Sequence, residues 1–445
     1  MKGSWIFAVA VALLLTACSQ PMQETPATET GTVAAEVIVG DTAYDRNTKT
    51  LTLEAEDCAF EELQTAVEQL DSLTELHLPQ TPFTAQQLSQ LAQEHPQIAI
   101  TYTATVLGQE YENTVTQLDL SAAEGSQTQQ ILDELAFFPL LTDVQLGDGF
   151  TPSDVKAIMD SLPDVTVHYA FELFGKTVST TDERVEFVNV DIGDEGLAQI
   201  RQALDILPVC TYLKLDRCGT SNTAMAQLRD DYPNTKVVWR VFFAFYNCLT
   251  DTEVLRCIRK LDDENVEVLK YCTDVKYLDM GHNVDLGNFT FICYMPKLEI
   301  AIVVDSQIPD LEPFASCPNL QWLEIVNCQK VTDLSPLANC TKLKGLNMSA
   351  NFKLDDLTPL YGLKEMERLF LGHQDLTEED VKAVQAALPN CWVSIGAKSS
   401  DLVSYNYSYG WRLDEDGSRA EWYQFVRKIF RYDEDYYNHY NNDGQ

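Results

Sequence analysis

Long apolar runs are scarce in this chain of 445 residues: the one sustained run, from Trp5 to Leu15, is shorter than the ~20 residues that a membrane-spanning helix requires. Basic residues are also few. With 31 Lys+Arg against 68 Asp+Glu, the net charge is −37, which repels phosphate backbones and anionic headgroups and excludes nucleic acid as a partner class. Most of that charge reads as a solvated face. Histidine occurs six times (77, 95, 168, 282, 373, 439), never as His-Glu-x-x-His, and no nucleophile elbow or phosphate-cradling glycine loop is present. No two cysteines stand as Cys-x-x-Cys, so neither a zinc ribbon nor a thioredoxin-type site is supported. Asp414-Glu415-Asp416-Gly417 begins like a calcium loop and lacks the rest. The sequence therefore assigns no catalytic residue, no metal and no cofactor.

What the chain does contain is a repeat. Val275-x-x-Leu278-x-Met280-x-x-Asn283 recurs as Leu320-x-x-Leu323-x-Ile325-x-x-Cys328 and as Leu343-x-x-Leu346-x-Met348-x-x-Asn351. A degenerate copy, Leu298-x-x-Ala301-x-Val303-x-x-Ser306, lies between the first two, and Met366-x-x-Leu369-x-Leu371 follows the last. The starts at 275, 298, 320, 343 and 366 are 23, 22, 23 and 23 residues apart. One such unit cannot bury its own apolar face, whereas stacked units share a core. The pattern is that of leucine-rich repeats. It predicts parallel strands at 276–280, 299–303, 321–325, 344–348 and 367–371.

Earlier in the chain the repeat is longer. Pro96, Pro163 and Pro233 are 67 and 70 residues apart, Pro389 joins the set, and twelve residues before each stands Thr84, Thr151, Ser221 or Thr377. That is an N-cap, about three helical turns and a stop at proline, with Gln87 and Asp380 as capping-box partners. Short apolar strands precede each helix (Leu76-x-Leu78, Val144-x-Leu146, Leu213-x-Leu215, Leu369-x-Leu371), and alternation resumes after each proline. Gly40-Asp41, Gly108-Gln109 and Gly175-Lys176 predict type II′ hairpins with glycine first. In the fourth block Phe242-Phe243-Ala244-Phe245 replaces the glycine, which suggests a bend or junction near 240–272. The fold class expected is α/β: a curved leucine-rich repeat solenoid, its parallel sheet on the concave face and helices and turns on the convex face.

The ends of the chain bear on location. Lys2, the short apolar run and Leu15-Thr16-Ala17-Cys18 resemble a bacterial lipoprotein signal, in which Cys18 carries lipid; the alternative is an ordinary signal peptide with an incidental cysteine. The expected divisions are a signal at 1–17, a flexible tether at 18–35, long coils with hairpins at 36–240, short coils at 241–398 and an aromatic, acidic cap at 399–445. Removing a signal that holds Lys2 and no acid takes the charge from −37 to −38. Of the twelve cysteines, eleven remain beside Cys18, an odd number. Cys272, Cys317 and Cys340 each precede a repeat start by three, while Cys218 and Cys328 stand where Asn283 and Asn351 do. These positions predict structural, buried thiols.

The stretch Val331-Thr332-Asp333-Leu334-Ser335-Pro336-Leu337, with Leu343-x-x-Leu346-x-Met348 after it, is similar to the internalin-like bacterial leucine-rich repeat proteins. Leu357-Thr358-Pro359-Leu360 repeats the turn, and Leu311-Glu312-Pro313-Phe314 is a weaker copy. The likeness spans about 275–371. Over 50–240 the helical segments look closer to ribonuclease-inhibitor-type coils. The helical cap and immunoglobulin-like module that accompany internalins are not evident. The resemblance implies recognition of a protein partner, as a class and not as a particular receptor.

The strand pattern also names a surface. Leucines of each Leu-x-x-Leu-x-Leu unit point inward, so the residues between them face the concave side: Tyr277 and Asp279, Ile300 and Ile302, Trp322 and Glu324, Asn347, and Arg368 and Phe370. If solvent-facing, Ile300, Ile302, Trp322 and Phe370 form an apolar patch fringed by charge, as expected of a protein-binding surface. Alternatively the C-terminal tail folds back over them. In that tail Tyr405-x-Tyr407-x-Tyr409 alternates like a strand, and Trp422, Phe425, Val426, Ile429 and Phe430 share a helical face. The expectation is a bacterial, extracytoplasmic protein that touches the membrane only through lipid on Cys18 and binds a protein on its concave face. The alternative is binding or hydrolysis of cell-wall polysaccharide or peptidoglycan, since carboxylate pairs are plentiful.

Overall fold

The computed structural model describes residues 36–54, 58–79, 82–372, 376–394, 411–412 and 418–433. Cys18, the tether, His373, the Tyr405–Tyr409 alternation and the acidic run after Asp433 lie outside the described residues. The chain forms two compact units, one of residues up to 115 with 133–140, the other of 116–132 with 141 onward.

In the first unit, strands Thr50–Thr52, Glu75–Leu78 and Ala99–Val106 pair in parallel, and Gln109–Glu112 returns antiparallel. Leu51 and Leu76 face helices Phe60–Gln69 and Ala85–Glu94 through Leu63, Leu88 and Leu91, all nearly or fully buried. The second helix starts as its sequence dictates. Thr84 Oγ1 accepts from Gln87 N at 3.2 Å, and Gln87 Oε1 accepts from Thr84 N at 2.9 Å. His95 caps its end, directly before Pro96.

The second unit carries longer runs of the same logic. Strands Gln117–Leu120, Asp143–Leu146 and Thr166–His168 pair in parallel, as do Arg184–Val188, Tyr212–Asp216 and Lys236–Phe243. Seven further strands then pair in parallel, from Val254–Arg256 through Tyr277–Asp279, Ile300–Val304, Trp322–Val326, Gly345–Asn347 and Arg368–Phe370 to Trp392–Ser394. Leu278, Ala301, Leu323, Leu346 and Leu369 align in one row, which is the predicted register. Behind the early strands lie helices such as Pro152–Ser161 and Asn222–Asp231, and behind the late ones single 3-10 turns until the helix Glu378–Ala387 before the last strand. Proline opens three of these turns, where its fixed φ fits and its missing N–H costs nothing. Asp333 and Asp356 prime two of them by accepting the N–H of Ser335 and Thr358 at 2.8 and 2.9 Å, and the hydroxyls of those residues, with these N–H bonds, hold both carboxyls below their usual pKa.

The hairpins exist, but two of the three glycines stand second in the turn. Leu107-Gly108 and Phe174-Gly175 both have positive φ at each central residue, the I′ pattern, because that twist matches the strands. Gly40 alone leads its turn, at φ 57°. The fourth hairpin, Lys236–Phe243 with Tyr246–Leu249, persists with Ala244 at φ 49°, and the apolar core continues through 240–272 without a break.

Cysteines fill the positions the repeat gives them. Cys272, Cys317, Cys328 and Cys340 are all buried, and burial pushes the Cys317 thiol up to about 12 and the Cys340 thiol to about 11. Cys293, on the 3-10 turn Thr290–Tyr294, is the exposed one among the described cysteines. Brief treatment of the folded protein with iodoacetamide should therefore mark Cys293 and leave Cys317, Cys328 and Cys340 unmodified until denaturant is added, as read by peptide mass spectrometry. Early modification of the buried three would contradict the packing.

Candidate functional site

The alternation that buries Leu278, Leu323, Leu346 and Leu369 on one side of the sheet sends Ile300, Ile302, Trp322 and Phe370 to the other. They are brought together there as expected. They do not meet solvent. Ile300 and Ile302 are each 4% exposed, Trp322 9% and Phe370 2%, because Trp411 and the helix Glu421–Ile429 lie over them. Asp279, Glu324 and Asn347 are buried as well, while Tyr277 and Arg368 are half-buried at the rim. The expectation of an open apolar patch is thus corrected: the tail folds back. The cause is hydrophobic. Four large apolar side chains on one solvated sheet face are costly, and a helix with Tyr423, Val426 and Phe430 at i, i+3 and i+7 removes them from water. The buried face centres on Tyr423, not on Phe425, which stays 40% exposed and touches Tyr277 edge-on at 5.5 Å.

Aromatic stacking fixes the middle of the contact. Trp322 lies flat on Trp422 (centroids 4.5 Å apart, planes 9° apart) and meets Trp411 edge-on at 5.9 Å. Gly345, across the register from Trp322, makes room: a Cβ there would sit 1.8 Å from Trp322 Cε3 and 2.8 Å from Trp411 Cη2. The strand pattern gave no reason to single out a glycine, so sequence reasoning passed over it.

Polar contacts fix the ends. Arg412 Nη2 donates to Glu324 Oε2 at 3.1 Å, and Asn347 Nδ2 reaches the same oxygen at 3.5 Å. The Tyr432 hydroxyl donates to Asp279 Oδ2 at 2.7 Å. Burial raises the Asp279 carboxyl above its usual pKa against the pull of Tyr432, Gly281 N–H and Arg256, and raises the Tyr432 hydroxyl too. Arg256 donates to the Phe430 carbonyl at 2.9 Å, and Arg368 to that of Trp411 at 3.2 Å. Arg256, Arg412 and Tyr432 were not anticipated, since their contacts join residues far apart in the chain. A cleft of about 590 Å³ remains where the N-terminal end of the tail helix meets the sheet, lined by Gln321, Lys344, Glu367, Arg368, Glu421 and Trp422, among others. The two carboxylates on this face are engaged by the tail, and among the described residues no group of three or more metal-ligating side chains is assembled. No helix among them is long and apolar enough to cross a membrane.

A family model described as leucine-rich repeats, in two copies, matches residues 318–362. No curated protein matches the chain. Among solved structures, an internalin (InlF) from Listeria monocytogenes aligns over 79% of this chain and 83% of its own, at 17% identity and a TM-score of 0.30. An internalin C2 from the same species aligns over 50% of this chain and 88% of its own, at 22% identity and a TM-score of 0.29. A leucine-rich repeat protein of Leptospira interrogans covers 79% of this chain and 90% of its own, at 13% identity and a TM-score of 0.29. The family match and the parallel register agree: the chain carries leucine-rich repeats, a domain type that suggests a role in protein interaction.

Proposed function

We propose that this protein is exported, held at a membrane by lipid on Cys18, and binds another protein on the outward sheet face of its short coils, with Tyr277, Asp279, Ile300, Ile302, Trp322, Glu324, Asn347, Arg368 and Phe370 as the contact set. One observation carries the reading: this sheet face bears large apolar and aromatic side chains where a merely solvated face would be polar, and protein in helical form already packs on it. A photo-crosslinking residue at Tyr277, on the rim, should give a discrete protein adduct on intact cells, and one at Glu312, on the turn behind the sheet, should not. Equal labelling from both positions would refute the assignment of the face.

Anchoring is tested separately. Cys18→Ala should move the protein from the membrane fraction to the soluble exported fraction, because one acyl-bearing cysteine is the only attachment proposed. Full membrane retention of that variant would count against the lipid.

A further inference from the structure

The covered sheet face is suited to one kind of guest. Its two carboxylates, on Asp279 and Glu324, are buried, and a buried carboxylate requires a cation or good donors. The tail supplies them: the Arg412 guanidinium for Glu324 and the Tyr432 hydroxyl for Asp279. Arg256 of the sheet accordingly meets the C-terminal end of the tail helix, whose last carbonyls lack helical partners and carry the negative end of the dipole. Direction is therefore read as well as composition: arginine ahead of the helix at Glu324, helix C-terminus at Arg256.

Hydrogen-bond satisfaction separates this contact from the repeat core. Asn283 and Asn351, inside the coils, use both amide hydrogens and the carbonyl. Where the tail meets the sheet, Glu324 Oε1, Trp411 Nε1, Arg412 Nε and Trp422 Nε1 are buried without a hydrogen-bond partner among the described residues. An occupant that leaves such groups unmet is held less firmly than its apolar contact suggests, and a guest that meets them competes with it. The tail belongs to the same chain, so its docking is intramolecular and needs less intrinsic affinity than that of a separate guest.

We propose that this face is a receptor groove for an amphipathic helix of a partner protein, with apolar or aromatic side chains at i, i+3 and i+7 and an arginine ahead of its first turn, and that the chain's own tail, seen here as residues 411–412 and 418–433, is a stand-in which such a helix displaces. This rests on the protein-binding reading above and adds its ligand class and its regulation. The face places carboxylates at Asp279 and Glu324 and arginines at Arg256 and Arg368, so a helix that brings a carboxylate to Glu324 is a poor guest.

The probe is a fluorescein-labelled synthetic peptide of residues 411–433, titrated into the full chain and into the full chain carrying Tyr423→Asp with Val426→Asp, which ejects the tail and leaves the sheet untouched. The peptide should bind the ejected variant with a micromolar Kd and the wild type at least tenfold more weakly. Arg412→Glu in the peptide should weaken binding at least tenfold. No saturable binding to the ejected variant, or equal binding to both proteins, overturns the proposal. Should the ejected variant fail to fold, hydrogen exchange on the wild type decides. The amides of Gln424 and Phe430 should exchange at least a hundredfold faster than that of Leu323, and equal protection would make the tail a fixed cover. If the peptide binds while no adduct forms at Tyr277 on cells, the groove stands and the reading of a protein partner falls.

Discussion

Asn351→Ala should be among the most damaging single substitutions in the short coils, costing about 3–5 kcal/mol. The side chain is fully buried, and all its hydrogen-bonding capacity is spent on backbone. Its Oδ1 accepts from Cys328 N at 2.6 Å, and its Nδ2 donates to Ile325 O at 2.7 Å and Met348 O at 3.1 Å. Alanine removes the bonds to the buried Cys328 N–H and Ile325 carbonyl, and each polar group so stranded costs about 1–3 kcal/mol. Asn283 makes the equivalent three bonds three repeats away, to Leu261 N, Cys257 O and Met280 O. Asn351→Cys should be milder than Asn351→Ala, because Cys328 already holds the same place in its coil and directs its thiol at Val303 O and Val326 O. Urea midpoints of the three proteins give the ranking. Alanine and cysteine variants of equal stability would show that the thiol is only a spacer.

Asn351 was legible because every coil meets the same problem. A strand followed by a sharp turn strands the same backbone groups each time, so the residue type that solves it recurs at a fixed place, as Asn283, Cys328 and Asn351 do. Parallel pairing and register came from the same source: a 23-residue period stacks Leu323 on Leu346 on Leu369. The helix starts were readable for a local reason, since Thr84 and Thr377 carry their capping partners three residues away. What covers the sheet was readable only as one of two alternatives, an open patch or a tail folded back over it. Alternation tells which face Trp322 points to, but the contact between Arg256 and Phe430 spans 174 residues, and no period reaches that far. Gly345 was missed for a related reason: its meaning lies in the volume of Trp322 and Trp411, not in its own strand. The turn type at Gly108 and Gly175 depended on strand twist, which a glycine's place in a list of residues does not reveal.

Arg240→Met should cost about 3–5 kcal/mol at neutral pH, and much less in acid. Arg240 and Asp216 are adjacent on neighbouring strands, with side chains 3% and 7% exposed, joined by Nε to Oδ1 at 2.7 Å and Nη2 to Oδ2 at 2.8 Å. Nη1 also donates to Asn247 Oδ1 at 2.6 Å. The guanidinium holds the Asp216 carboxyl below its usual range. A carboxyl whose folded pKa is depressed contributes stability above its unfolded pKa of about 3.9 and loses it as pH falls through the folded value. The wild type should therefore weaken in acid at this site. In Arg240→Met the sign reverses: a buried carboxylate without its cation is pushed up in pKa, so protonation relieves it and acid narrows the gap between the two proteins. Arg240→Lys should fall between them, since one ammonium cannot reproduce two parallel bonds to a carboxylate. Replacing both partners, Arg240→Met with Asp216→Leu, should recover most of the loss, because the penalty comes from the stranded charge more than from the missing bond. Urea denaturation at pH 7 and at pH 3.5 measures all four proteins. A gap between wild type and Arg240→Met that is unchanged between the two pH values would mean that Asp216 is not the group left behind.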